Sequence, residues 1–287
     1  MSPRTLNLAA HFANNEAHFE FQRQSLDALV LVLKNSPQIE YFELKLGCSL
    51  NERWPWSPDE LFLTLSDVDL PSLRTFRALG AIDPAWYNSI NAYSSNAAEV
   101  HLHECTVSPE PFEALFPSLT HLEAPAFFCD SVMRSKLAGQ LQYLKIIDLF
   151  PPHTGSGFSK AAQNAKAMPN LRKLIVDTRR NGPIESAAFA QLLGFVPDLE
   201  ELQFGWELDE RDQTLSLLRL VSNLRILSQH TAAFSLKAGH LTWSESVLII
   251  AEALPRLSRV SRMEFHKTGW NILRGDSGRI IVSTYEF

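Results

Sequence analysis

Several stretches of this sequence carry residue types that could do chemistry. Gly275-Asp276-Ser277-Gly278 has the order of a serine-nucleophile segment. Such a serine needs a histidine base that is itself held by a carboxylate. Arg279 follows directly, no upstream segment supplies the base, and the glycines with Asp276 read as a polar hairpin turn. Thr154-Gly155-Ser156-Gly157-Phe158-Ser159-Lys160 is rich in glycine ahead of a helix-like stretch. Backbone N–H groups at a helix start can cradle phosphate. The glycine and lysine spacing of known phosphate loops is absent, however, and a connecting loop fits better. His101, His103 and Cys105 alternate along one expected strand, and His121 is expected on the next strand near His101. Imidazole and thiolate are zinc ligands. Strand neighbours two residues apart stand about 7 Å from each other, too far to share one ion, so the expectation is a histidine patch and no metal. Cys48 and Cys129 lack cationic neighbours that would activate a thiol and read as structural. Trp54 and Trp56 fall in a longer loop after the first clear strand.

These residues must be positioned by something, and the chain is apolar enough to build it. Its 287 residues are 45% apolar and 20% charged, which supports a substantial core. Lys and Arg total 26 against 32 Asp and Glu, a net charge of −6, which argues against holding nucleic acid by charge. The longest apolar run, Ala28 to Leu33, is far shorter than the roughly 20 residues that span a bilayer, so no membrane is expected. Three cysteines fit reduced thiols, hence a cytoplasmic or nuclear protein.

A proline-led tripeptide recurs: Pro37-Gln38-Ile39, Pro71-Ser72-Leu73, Pro117-Ser118-Leu119, Pro169-Asn170-Leu171, Pro197-Asp198-Leu199 and Pro255-Arg256-Leu257. The long gaps each hide one unit that has lost its proline. Aligned on Leu-x-x-Leu-x-Leu, the anchors are Ile39, Phe42, Leu44; Leu73, Phe76, Ala78; Ala97, Val100, Leu102; Leu119, Leu122, Ala124; Leu141, Leu144, Ile146; Leu171, Leu174, Val176; Leu199, Leu202, Phe204; and Leu224, Leu227. A ninth unit is ambiguous: Leu257 and Val260 keep the proline register, while Val260, Met263 and Phe265 make the better strand. First anchors lie 22 to 34 residues apart, the leucine-rich-repeat range. The last two anchors of each unit have strand spacing and face one side. The proline stops the preceding helix, because it lacks an N–H and biases its predecessor away from helix. Amphipathic helices are expected over Glu20 to Lys34, Ile184 to Phe195, Asp209 to Val221 and Val247 to Leu254. Asp83-Pro84 and Ser108-Pro109 look like helix caps followed by proline at the first helical position.

The expected fold is therefore α/β: a leucine-rich-repeat solenoid with irregular repeats of about 22–34 residues, a parallel sheet on the concave face and helices on the convex face. One domain spans 1–287. Residues 1–36 form an N-terminal cap with a strand over Arg4 to Ala9, 37–266 form the repeats, and 267–287 form a hairpin cap that closes the last edge.

The proline-led anchors and the irregular repeat length resemble the leucine-rich-repeat region of fungal F-box proteins. The resemblance implies substrate recognition in a ubiquitin ligase, where an N-terminal F-box docks on a Skp-type adaptor and the repeats hold the substrate. No Leu-Pro-x-Glu-like segment precedes the first repeat here, so the adaptor is expected only with a longer product. A free-standing repeat scaffold is the alternative. A hydrolase or phosphate-binding enzyme built on 154–160 or 275–278 is a remote one.

In either favoured reading the chain is a non-catalytic protein-binding module without a cofactor. Its partner is expected on the concave face, contacted by residues that alternate with the anchors: Tyr41, Glu43, Arg77, His101, His121, Glu123, Tyr143, Lys145, Lys173 and Glu201. Tyr41 and Tyr143 are the preferred anchors, since aromatics dominate interface energetics.

Overall fold

The computed structural model describes residues 4–10, 18–46, 64–79, 109–147, 162–177, 186–204, 211–229, 243–262, 268–275 and 277–286. They fall into two compact units, Met1–Leu141 and Gln142–Phe287. Both are α/β, built on parallel strands with helices between them. Among the described residues, no helix is long and apolar enough to cross a membrane.

In the first unit the strands are β1 (Thr5–Ala10), β2 (Tyr41–Leu46), β3 (Thr75–Leu79) and β4 (His121–Pro125), ordered β1-β2-β3-β4 and all parallel. Helix α1 (His18–Lys34) connects β1 to β2, α2 (Pro109–Leu115) precedes β4, and α3 (Ala126–Arg134) follows it. A tight turn sets each strand start. The N–H groups of Ile39, Leu73 and Leu119 donate to the carbonyls of Ser36, Leu70 and Phe116 at 3.0–3.1 Å. The first anchor is thereby turned inward, and Ile39, Leu73 and Leu119 are fully buried. One carbonyl of the preceding strand then accepts two N–H groups. Arg4 O receives Glu40 and Tyr41, Glu40 O receives Arg74 and Thr75, and Arg74 O receives Thr120 and His121. The same bond made three times locks the register.

In that register Phe42 lies beside Phe76, and Phe76 beside Leu122. Their buried side is filled by rings. Phe42 and Phe76 have centroids 5.6 Å apart, and Phe76 stacks on Phe116 at 4.9 Å. Phe112 continues the row to Phe116 and Phe128, at 6.0 and 5.9 Å. The helices α2 and α3 thus close the face that carries the anchors, and the alternate residues form the other, open face.

Two expectations need correction in this unit. β3 bonds directly to β4, so its neighbour is β4 and not the 97–105 segment. Residues 80–108, including His101, His103 and Cys105, lie outside the described residues. Helix α3 was not expected, because it begins at the strand's end with neither a loop nor a capping signal. Two local bonds flank it: Cys129 Sγ donates to Ala124 O on β4 at 3.2 Å, and Ser135 Oγ caps the following one-turn helix by accepting from Leu137 N–H at 3.0 Å.

The second unit is ordered β5 (Tyr143–Ile147), β6 (Lys173–Asp177), β7 (Glu201–Phe204), β8 (Ile226–Gln229), β9 (Arg259–Arg262), β10 (Thr268–Arg274) and β11 (Ile280–Glu286). The first five are parallel, and β10 and β11 are antiparallel. Helices α4 (Ser186–Gly194), α5 (Arg211–Arg219) and α6 (Trp243–Ala253) precede β7, β8 and β9. Leu144, Leu174, Leu202, Leu227 and Val260 stand side by side, each at most 1% exposed. Burying such a side chain stabilises by roughly 1.5–3 kcal/mol over leaving it in water. The inward turn recurs at Leu171, Leu199, Leu224 and Leu257. The ninth unit therefore follows the proline register, with Leu257 and Val260 both buried and Ser261 beside Ser228. Met263 and Phe265 lie outside the described residues.

The hairpin over β10 and β11 turns at 275–279, where Gly275 N–H donates to Arg279 O at 3.0 Å and Gly278 takes a φ of 75° that favours glycine. Arg274 Nη2 donates to the carbonyls of Ala251 and Leu254, at 2.8 and 2.9 Å, and so caps the C-terminus of α6. Gly269 is needed for a different reason. A Cβ there would stand 2.3 Å from the Tyr285 ring, which lies across it.

Candidate functional site

On the open face of the first unit, parallel pairing places Glu43, Arg77 and Glu123 in one row and Tyr41, Thr75 and His121 in the next. Adjacent strands are about 4.8 Å apart, so side chains in a row must touch. Arg77 lies in the middle and organises the rest. Its Nε donates to Glu123 Oε2 at 2.7 Å, and its Nη1 donates to Glu43 Oε2 at 2.6 Å and to the Tyr41 hydroxyl at 3.0 Å. The Tyr41 hydroxyl in turn donates to Glu43 Oε2 at 2.5 Å. Glu123 is only 6% exposed, although it lies on the open face.

The electrostatics follow from this geometry. The hydrogen bond to Glu123 holds the Arg77 guanidinium above its ordinary pKa, against the opposing cost of burial. Burial raises the Tyr41 phenol, with the Glu43 hydrogen bond adding to it and Arg77 working against it. His121 is pushed below the ordinary histidine value by burial. Its Nδ1 is 2.9 Å from Thr120 Oγ1. The network carries two carboxylates for one guanidinium, a formal charge of −1. It presents a fixed polar surface centred on a tyrosine, with the side chains held by one another.

The histidine has a consequence in solution. A depressed native pKa means that the unfolded chain binds the proton first as pH falls, so native stability drops between about pH 6.5 and the lower native value. Urea midpoints at pH 7.5 and 5.5 are expected to differ less in His121→Gln than in the unaltered chain. Equal differences in the two proteins would remove His121 as the cause.

In the second unit the open face carries Tyr143, Lys173, Glu201, Ile226 and Arg259 in one row, and Lys145, Ile175, Gln203, Ser228 and Ser261 in the next. Lys173 Nζ and Glu201 Oε2 form an ion pair at 2.8 Å, with both side chains more than a third exposed. Such a pair contributes little to stability. Ser228 and Ser261 share a hydrogen bond of 2.7 Å, and the Arg259 guanidinium lies 5.7 Å above the Tyr285 ring centre.

Of the residues expected at a partner surface, Tyr41, Glu43, Arg77, His121 and Glu123 come together on the first unit. Tyr143, Lys145, Lys173 and Glu201 lie together on the second. His101 lies outside the described residues, as do Cys48, Trp54, Trp56 and the 154–160 segment. The sequence reading missed Arg259, Ser261 and Tyr285 on the open face. For Arg259 and Ser261 the signal was the proline register of the ninth unit, which fixes their parity once Leu257 is taken as its first anchor; Tyr285 lies on β11, which that register does not reach. Ser277 sits exposed in the hairpin turn. Burial in α3 raises the Cys129 thiol far above the ordinary cysteine range. Among the described residues, no group of three or more His, Cys, Asp or Glu side chains could hold a metal ion. No family model matches the chain, and no match was found among curated proteins.

Proposed function

We propose that the chain is a leucine-rich-repeat solenoid that binds a protein partner through the open, concave face of its sheet, without catalysis. In this reading it is the substrate-recognition part of an F-box-type ubiquitin ligase, as the resemblance of its proline-led anchors implies. The observation that carries partner binding is the Tyr41–Glu43–Arg77–Glu123 network. Four polar side chains from three neighbouring strands are locked together on a face that no described helix covers. Preorganised side chains lose less entropy on binding, and a half-buried tyrosine is a favoured interface anchor. Recurring inward turns and anchors stacked in register within each unit support the solenoid reading.

The test is capture by cross-linking from cell extract, with three baits compared. The unaltered chain and a control altered at exposed Leu31 on α1 (Leu31→Ser) are expected to retain the same partner. Tyr41→Ala combined with Tyr143→Ala is expected to weaken capture by about 30-fold, as loss of a hot spot of 2 kcal/mol would. Equal capture by all three baits would move the binding surface elsewhere. A Skp-type adaptor added to the same chain separates the two readings of the resemblance. Adaptor binding by this chain, or by a longer product of the same gene, supports ligase membership, whereas partner binding with no adaptor binding by either supports a free-standing scaffold.

A further inference from the structure

Several cations of the second unit are answered by an oxygen nearby. Arg172 lies 3.4 Å from Asp198, Lys173 2.8 Å from Glu201 and Arg225 3.7 Å from Glu200. Arg256 donates to Asn223, and Arg274 donates to two carbonyls. Arg259 on β9 has a ring instead. Its guanidinium carbon lies 5.7 Å from the Tyr285 ring centre, and among the described residues no oxygen accepts from it.

Tyr285 reaches Arg259 across a whole strand. Gly269 on β10 lies between them, paired with Ser261 on one side and with Tyr285 on the other. A Cβ at 269 would meet the ring, so glycine is what lets the ring lie across β10 toward β9. Attraction to a ring holds a guanidinium in place and leaves its charge uncancelled.

Around Arg259 the open face offers donors. Its cross-strand neighbours are Ile226 on β8 and Asn271 on β10. The Asn271 side-chain amide bonds to nothing among the described residues. Ser261, two residues along β9, is 6% exposed and shares the 2.7 Å hydrogen bond with Ser228. Two hydroxyls joined in this way spend one proton between them, and the other is left to donate. Charge points in the same direction. In the two rows of this face Lys145, Lys173 and Arg259 stand against Glu201, although the whole chain carries −6. Asp177 lies one row further along β6.

We propose that Arg259, the Ser228–Ser261 pair and Asn271 form the seat for a carboxylate side chain of the protein partner, so that the open face of the second unit takes an acidic segment. A planar guanidinium meets a carboxylate with two parallel hydrogen bonds, and no described carboxylate occupies that fork. Tyr285 is a positioning residue: it fixes where the fork stands before the partner arrives, which lowers the entropy lost on binding. The inference rests on the open-face reading above and names the chemistry of the partner there.

The test uses the whole chain and a defined probe, the blocked peptide acetyl-Glu-Glu-Glu-amide, with acetyl-Gln-Gln-Gln-amide as control. Arginine Nε–H signals are followed by NMR in protein carrying isotope-labelled arginine, and the Arg259 signal is the one lost in Arg259→Gln. The Glu peptide should shift that signal saturably and the Gln peptide should not. Rising salt should weaken the effect, since it screens an exposed pair. Tyr285→Leu should raise the apparent Kd about two- to fivefold, as loss of an exposed cation–ring contact would, and Tyr285→Phe should not. Urea midpoints check that each variant is folded. Absence of a saturable shift, an equal shift at Arg279 in the hairpin turn, or displacement of the peptide by a lower concentration of inorganic phosphate would each overturn the carboxylate seat. In capture from extract, Arg259→Gln should hold the partner at least tenfold more weakly than the unaltered chain. Capture that needs Tyr41 and Tyr143 but is indifferent to Arg259 would sink this inference alone. Equal capture by all variants would sink the open-face reading, and the assignment of the carboxylate to the partner with it.

Discussion

Phe76→Ala will destabilise the first unit by about 3–5 kcal/mol, the usual cost of removing a buried ring. Phe76 is 1% exposed and sits between Phe42 on β2 and Phe116 after α2, 5.6 and 4.9 Å from their ring centres. Alanine removes the transfer energy of the ring and also leaves a cavity, since neither neighbour belongs to a segment free to collapse into it. Ring pairs contribute about 0.5–1.5 kcal/mol beyond the area they bury, and two such contacts vanish together. The loss should appear as a lower urea midpoint and as faster amide exchange within β2, β3 and β4. Phe76→Leu keeps most of the volume and should retain more than half of the stability. A loss below about 1 kcal/mol for alanine would mean that the aromatic row does not hold these strands together.

Arg77→Ala should cost about 2 kcal/mol, less than the value for a fully buried pair because the Arg77 side chain is 31% exposed. Direct contact energy is the smaller part of this loss. With the guanidinium gone, Glu43 and Glu123 face one another across β3, and the Glu123 side chain is only 8% exposed. Its desolvation is then uncompensated. Adding Glu43→Gln and Glu123→Gln to the alanine variant should therefore recover at least half of the lost stability, although it deletes two more charges. Arg77→Lys should recover little, because an ammonium cannot present the planar fork that meets Glu43 and Glu123 at once. If the triple variant were less stable than Arg77→Ala alone, the unpaired carboxylates would not be the source of the cost.

The two variants also separate the faces of one strand. Phe76 and Arg77 are neighbours in sequence, yet one belongs to the core and the other to the surface network. Phe76→Ala should reduce stability and partner capture together. Tyr41→Ala, by contrast, should reduce capture with a smaller change in the urea midpoint.

Much of this was legible in the amino-acid order. The alternation of Tyr41, Phe42, Glu43 and Leu44 tells which side chains are buried, and the same reading holds at Lys173–Val176 and Glu201–Phe204, apart from Ile175. Ile175 is 8% exposed on the open side, because its neighbours Lys145 and Gln203 flank it. The prolines at 37, 71, 117, 169, 197 and 255 mark the turns that start strands. The helices over 18–34, 186–194, 211–219 and 243–253 fall where helical spacing put them. Tyr41, Glu43, Arg77 and Glu123 could be named as alternate residues, but their hydrogen bonds could not.

Sequence by itself determined which side chains turn inward, where strands begin and that helices lie between them, since these depend on periods of two to four residues and on the missing N–H of proline. Only the tertiary structure decided that β3 stands beside β4, where the repeat pattern had placed the 97–105 unit between them. A spacing of 46 residues between Arg77 and Glu123 says nothing about their contact until β3 bonds to β4. The same is true of Tyr285 lying over Gly269. Pairing between strands is a long-range choice, made by the fit of many side chains and backbone groups at once, and no local pattern carries it.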